Sequence, residues 1–217
     1  MQSQVITTPT ENTPQTLYDR FAHLYDLTFK FNRYAQSIER YLRENPLPLS
    51  SGARILDAGC GTGLLTLALV RVLDRPARIT SVDLSTTSLL TARRALRNTD
   101  ARRKHQVSFA QANVLALPFP DETFELVVTS GVLEYVSLRE GLTELARVIA
   151  PGGYLMHLPV RPSLASRLLE VMFRFKTHPP QQVEQHTARH FRPLDEYHFP
   201  PLDPIGWTKK ILVSQKP

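Results

Sequence analysis

Ala53-Arg54-Ile55-Leu56-Asp57-Ala58-Gly59-Cys60-Gly61-Thr62-Gly63 is the stretch whose reading decides the fold. A short apolar run ends in an acid, passes into glycines, and continues into Leu64 to Leu73, which is apolar on most faces. The first part reads as a buried strand and the last as a helix packed on a sheet. The glycines between them allow a sharp turn and a close approach of backbone to a ligand. A helix start at such a turn also offers N–H groups to an anionic group. The spacing narrows the ligand. A dinucleotide loop takes its glycines as G-x-G-x-x-G, but here the third glycine comes one residue early and Leu64 holds the dinucleotide position. No Gly-Lys-Ser/Thr follows, so a phosphate-cradling P-loop is absent.

Outward from that turn, strands and helices alternate. Arg78 to Val82 is a second strand ending at Asp83, and Ser85 is placed to cap a helix from Thr86 to Arg97. Val107 to Ala110 is a third strand. Phe124 to Thr129 is a fourth, nearly all apolar, as a central parallel strand should be. Ser137 with Glu140 forms a capping box for a helix reaching Ile149, and Pro151, Gly152 and Gly153 stop it. Tyr154 to Val160 is a fifth strand. Ser163 to Phe175 is helical, 177–204 is rich in Pro and His with no clear period, and Lys210 to Ser214 is a final strand. Upstream, a helix begins at Pro14 and another covers Arg33 to Arg43, ended by Pro46 and Pro48. The alternation implies an α/β fold with a doubly wound, mostly parallel sheet and helices on both faces. Three parts are expected: a flexible tail over 1–13, a helical cap over 14–49, and a core over 50–217 that contains a variable substrate-side region at 161–205.

Composition excludes several classes. The chain has 217 residues, 42% of them hydrophobic, which suits one compact domain and not a disordered chain. No apolar run is long enough to span a membrane, although peripheral membrane contact stays open. Met1 to Thr13 lacks the signature of a signal peptide. A single cysteine, Cys60, rules out a disulfide framework and points to the cytoplasm. The formal charge of +6 owes much to Arg93, Arg94, Arg97, Arg102, Arg103 and Lys104. No aromatics interleave with them, so nucleic acid is disfavoured as a partner and a solvated helix flank is the simpler reading.

The ordered set of motifs over roughly residues 50 to 160 resembles the class I S-adenosylmethionine-dependent methyltransferases. The acid and G-x-G-x-G of Asp57 to Gly63 resemble the first motif of that family. Asp83 ends the second strand twenty residues after Gly63. Ala112 to Phe119 resembles the stretch that edges adenine, Ser130 to Val136 follows the fourth strand, and Glu144 to Gly153 resembles the helix-to-PGG turn. Tyr18 to Asp26 resembles the N-terminal helix of quinone-ring C-methyltransferases and related small-molecule enzymes. The resemblance implies a Rossmann-like fold, with S-adenosyl-L-methionine as cofactor and S-adenosyl-L-homocysteine as product. It places the amino-acid end of the cofactor on Gly59, Cys60, Gly61 and Gly63, with Asp57 near its ammonium. Asp83, followed by Leu84, takes the ribose. Asn113 and Val114 meet the adenine, with Asn113 standing where the family usually has Asp. Ser130 and Tyr135 line the sulfonium end, and Tyr18 and Tyr25 help cover the cofactor.

Methyl transfer from a sulfonium needs positioning above all, which contributes about 7–11 kcal/mol. A base is needed only for a protonated nucleophile. Among the histidines His157, on the fifth strand, is the leading candidate base; no metal site is expected. Phe21, Tyr25, Phe191, Tyr197 and Phe199 suggest an apolar cover over the carboxyl end of the sheet and a small aromatic or lipophilic substrate. Two other readings compete: an RNA methyltransferase using 93–104, and a catalytically silent cofactor-binding relative. The sequence leaves the methylated atom and the oligomeric state open.

Overall fold

A computed structural model describes residues 34–173, 175–200 and 202–217. The expected tail, the helix beginning at Pro14, and Tyr18, Phe21 and Tyr25 therefore lie outside the described residues. The first described element, α1 (Tyr34–Glu44), buries Tyr34, Ser37, Ile38, Tyr41 and Leu42. Those positions recur every three or four residues and make one apolar stripe.

The core then follows in order: β1 (Ala53–Ala58), α2 (Leu64–Val72), β2 (Ala77–Asp83), α3 (Thr86–Arg97), β3 (Gln106–Gln111), β4 (Phe124–Ser130), α4 (Leu138–Val148), β5 (Ile149–Leu158), α5 (Leu164–Phe173), α6 (Pro180–Thr187), β6 (Arg192–Tyr197) and β7 (Ile211–Gln215). The two serine caps form as expected. Ser85 Oγ accepts the Ser88 N–H, and Ser137 Oγ accepts the Glu140 N–H.

The strands make one sheet in the order β3-β2-β1-β4-β5-β7-β6. β1, β2, β3, β4 and β5 pair in parallel, and β7 is antiparallel to both of its neighbours. Apolar side chains alternate between the two faces. Ala53 and Ile55 of β1 join α1 and α2 in one core cluster. Leu56 and Ala58 join α4, Val183 of α6 and Phe191 in the other. Both faces of the strands are thus covered, which is why a parallel sheet reads as a nearly unbroken apolar run.

Strand order reverses between β1 and β4. The chain runs β1 to β2 to β3 on one side, then returns to place β4 against the other side of β1. The crevice outside the carboxyl ends of those two strands is where ligands bind in open α/β sheets.

Two expectations need correction. The Pro151-Gly152-Gly153 turn does not separate helix from strand; it lies inside β5, which starts directly after α4, and the N–H of Gly152 bonds the Lys216 carbonyl at 2.9 Å. The stretch 177–204 is not without regular structure. It contains α6, which buries little beyond Val183 and Thr187, and β6, an edge strand exposed along nearly its whole length. Neither carries an apolar period to read. β6 also contains Pro193, tolerated because an edge strand pairs on one side only.

Candidate functional site

Asp57 stands near the carboxyl end of β1 and is fully buried. Thr66, in the first turn of α2, donates its hydroxyl to Asp57 Oδ2 at 2.6 Å. With that proton committed, the 2.7 Å contact between Thr66 Oγ1 and Ser81 Oγ is one in which Ser81 donates. Asp57 Oδ1 has no partner among the described residues. Burial pushes this carboxyl up to about 7, the bonds from Thr66 pull it down, and the charge of Asp83 adds to the rise. A cation brought to Oδ1 would restore the ionised form.

The glycine loop follows. Gly59, Gly61 and Gly63 have φ of 73°, 52° and 89°, the left-handed region that a Cβ disfavours. A Cβ on Gly59 would stand 2.6 Å from Val132 Cβ, and one on Gly63 would stand 2.8 Å from Ala92 Cβ. Within the loop itself, ahead of the helix start, four N–H groups are taken up inside the fold. Gly59 and Cys60 both donate to the Val82 carbonyl, Gly63 donates to the Cys60 carbonyl, and Gly61 donates to Asp83 Oδ2 at 2.8 Å. What the loop offers instead is a side-chain-free surface next to an unpartnered carboxylate oxygen. Cys60 is buried, and burial raises its thiol, as befits a packing residue.

Asp83 ends β2. Its Oδ1 accepts the Ser85 N–H at 2.9 Å and its Oδ2 the Gly61 N–H. A carboxylate has about four acceptor positions and can serve several donors at once. Leu84 beside it is half-exposed, and its carbonyl accepts the Gln111 side-chain amide. Across from it, Asn113 is exposed and its Oδ1 accepts the Leu115 N–H at 3.0 Å, closing a tight turn, while Val114 is buried in the core. An apolar side chain, a polar turn and a carboxylate therefore line the ends of β2 and β3.

At the end of β4, Ser130 Oγ lies 2.5 Å from the Tyr34 hydroxyl. Tyr34 was not singled out in the sequence. It is buried, burial pushes its phenol well above the usual range, and Asp57 and Glu134 push the same way. The bond to Ser130 places the Tyr34 hydroxyl at the carboxyl end of β4, next to the segment that follows it. There, Tyr135 packs against Phe175 with ring centroids 5.8 Å apart, and its buried hydroxyl has no partner among the described residues.

Glu134 is buried too. One oxygen accepts the Val160 N–H at 2.6 Å and the other has no partner among the described residues. Lys209 is buried within electrostatic reach of it and donates to the Leu158 carbonyl at 3.3 Å. Nothing in the apolar period of the sequence marks Glu134 or Lys209, because both come from short segments between regular elements.

His157 lies on β5, buried, with neither ring nitrogen partnered among the described residues. Burial first, then Lys209, His178 and Lys210, depress it to about 3. It stays neutral at ordinary pH and is a weak proton acceptor, which goes against its expected role as a base.

The expected aromatic cover is corrected as well. Phe191 precedes β6 at the amino-terminal end of the sheet, level with Tyr154, and packs in the core. Phe199 is core on the other face, and Tyr197 packs on Tyr41 and Phe199.

This geometry has known counterparts. The methyltransferase domain family matches residues 56–157. A 2-phytyl-1,4-naphtoquinone methyltransferase from Thermosynechococcus vestitus is 31% identical over 189 residues, covering 85% of this chain and 79% of the relative. A demethylmenaquinone methyltransferase from Lactiplantibacillus plantarum is 30% identical over 194 residues, covering 82% of this chain and 80% of the relative. Among solved structures, the [4+2]-cyclase SpnF superposes with a TM-score of 0.72 at 20% identity, covering 98% of each chain. That likeness concerns the fold alone.

Proposed function

The chain belongs to the class I S-adenosylmethionine-dependent methyltransferases, and on that premise we propose which of its residues hold the cofactor and what kind of molecule it methylates. It is a methyltransferase, and S-adenosyl-L-methionine is its cofactor. The observation that carries the residue assignment is Asp57 Oδ1, a buried carboxylate oxygen without a partner among the described residues, beside a glycine surface. An α-ammonium is the group that fits it. Gly59, Cys60, Gly61 and Gly63 would lie along the amino-acid end, and Asp83 would accept from the ribose hydroxyls. Leu84 would give the adenine an apolar floor, with Asn113 and Val114 at its edge. Ser130, held by Tyr34, and Tyr135 would flank the reacting end. Tyr18 and Tyr25 remain proposed as cover from outside the described residues.

The bound cofactor supplies an electrophilic methyl on a good leaving group. The protein's own part is to fix the approach of the acceptor and to exclude water. The Tyr34–Ser130 bond and the Tyr135–Phe175 contact stiffen the wall on that side. His157 enters as a neutral ring with two unpartnered nitrogens, suited to hydrogen-bonding an acceptor hydroxyl rather than to holding its proton.

We take the acceptor to be a small lipophilic ring compound, in keeping with the quinone-directed names of the relatives. The single free cysteine suits a reducing compartment, and we place the enzyme in the cytoplasm. An RNA acceptor is disfavoured. The basic stretch lies along α3 and after it, where Arg93 already donates to the Phe109 carbonyl and lies over the Phe109 ring.

The deciding experiment is calorimetric titration with S-adenosylhomocysteine, followed by incubation with S-adenosylmethionine and a panel of prenylated hydroquinones. Saturable binding that NAD does not compete for, and a mass gain of one methyl on a ring compound, are expected. Absence of S-adenosylhomocysteine binding would end the residue assignment. Methylation of RNA in place of ring compounds would end the substrate reading.

A further inference from the structure

The three most exposed large apolar side chains among the described residues are Leu202 at 95%, Leu164 at 85% and Val171 at 82%. Leu164 and Val171 are seven residues apart on α5, so they share one helix face. The helix is not loosely begun: Ser163 Oγ accepts the Ser166 N–H at 3.0 Å and Ser166 Oγ accepts the Ser163 N–H at 2.7 Å. Trp207, the only tryptophan of the chain, is 58% exposed on the neighbouring segment. That segment is joined to the approach to α5 by Arg161, whose N–H bonds the Thr208 carbonyl at 2.7 Å and whose guanidinium bonds the Gly206 carbonyl at 3.1 Å.

Charge separates a membrane from other occupants. Arg161, Arg167 and Lys176 lie along the same stretch, and Arg167 and Lys176 are exposed. The one acid of the helix, Glu170, is turned to Thr177, accepting both its N–H at 2.7 Å and its hydroxyl at 2.5 Å. A surface of Leu, Val and Trp bordered by cations is complementary to an anionic bilayer surface, where apolar side chains enter the acyl boundary and cations meet headgroups. Ten residues of helix span about 15 Å, half the hydrocarbon thickness, so α5 lies in the interface and does not cross it.

We propose that α5 with the Trp207 segment docks this protein on anionic phospholipid membranes. Uptake of a lipophilic acceptor from the bilayer would rest on the substrate reading above; docking does not depend on it.

The chain carries its own reporter. On adding vesicles of equal parts phosphatidylglycerol and phosphatidylcholine, Trp207 emission shifts to the blue and the protein co-sediments, whereas pure phosphatidylcholine has much less effect. Leu164→Ser with Val171→Ser weakens partitioning about tenfold or more. Arg167→Gln and Lys176→Gln each weaken it about fivefold and flatten its salt dependence. Retained S-adenosylhomocysteine binding in these variants shows an intact fold. If a variant does not fold, quenching of the native Trp207 by brominated lipid decides. No emission shift and no quenching overturns the proposal. So does binding that the double variant leaves unchanged, or a concentration-dependent dimer that the double variant abolishes, which would assign the face to a second copy.

Discussion

Asp83 accepts the backbone N–H of Gly61 at 2.8 Å, so the acid at the end of β2 holds the glycine loop at the end of β1 in place. On the proposed assignment the carboxylate would also serve a ligand, so substituting it would disturb both the loop and the binding site.

Asp83→Ala should therefore weaken S-adenosylhomocysteine binding by roughly 3–6 kcal/mol, two charge-assisted hydrogen bonds at about 1.5–3 kcal/mol each. It should also lower the melting temperature without ligand, because Gly61 and Ser85 lose their acceptor. Calorimetry and a thermal scan separate the two effects. Wild-type affinity in Asp83→Ala would refute the ribose assignment.

Cofactor affinity should rise with pH through about 7. Burial holds Asp57 near that value, so below it the carboxyl is protonated and binding an ammonium costs the release of a proton. An α-amino group itself loses its charge near 8, which sets the upper limit of the window. Asp57→Asn should bind more weakly at pH 7.5 and lose the rising limb. A titration series from pH 5.5 to 8.5 checks this, and an unchanged limb in the variant contradicts the contact.

Asp57 and His157 should oppose each other in stability against pH. Asp57 has a folded pKa above its ordinary value, so the folded state binds the extra proton between about 4 and 7, and stability falls as pH rises through that range. His157 has a folded pKa below its ordinary value, so the unfolded state binds the extra proton between about 3 and 6.5, and stability falls as pH drops. The slopes largely cancel in the native chain. His157→Gln should become more stable, relative to native, on going from pH 7 to 4.5, and Asp57→Asn less stable, each by roughly 2–4 kcal/mol. Urea unfolding at the two pH values gives the sign directly, and equal changes in both variants would sink the argument.

Gly59→Ala should cost about 2–4 kcal/mol, the left-handed backbone and the collision with Val132 adding together. Val132→Gly in the same chain, which removes the Cβ as well as the two γ-methyls, should recover the collision share and leave the backbone share, whereas Val132→Ala, which keeps the Cβ, should recover only part of it. A double-mutant cycle in unfolding free energy measures that coupling; additivity of Gly59→Ala with Val132→Gly would show that Val132 is not what Gly59 makes room for.

The sequence made β1, its glycine turn and α2 legible because an apolar run, an acid and three glycines are all local signals. Ser85 and Ser137 were legible for the same reason: a cap is a matter of three residues. β6 was hidden because an exposed edge strand has no buried alternation to display. Tyr34 has no local signal, since its partner Ser130 is 96 residues away. Glu134 and Lys209 have none because buried charges are specified by tertiary contacts and not by period. The acceptors of the Gly59, Cys60 and Gly61 N–H groups are equally hidden, because Val82 and Asp83 belong to another strand.

The position of β7 bears on how the molecule is made. Among the described residues β6 pairs with no strand except β7, and β7 alone joins it to β5. In the chain β6 comes first, with 198–210 between them, so it cannot join the sheet until the later strand has docked. A folding chain can close the five parallel strands first, but it must keep β6 and the free edge of β5 from other partners until residues 211–215 are in place. Cutting the chain short of residue 211 would leave an open edge on each side of a gap one strand wide. Chains truncated there should be the most vulnerable to chaperone capture and to aggregation.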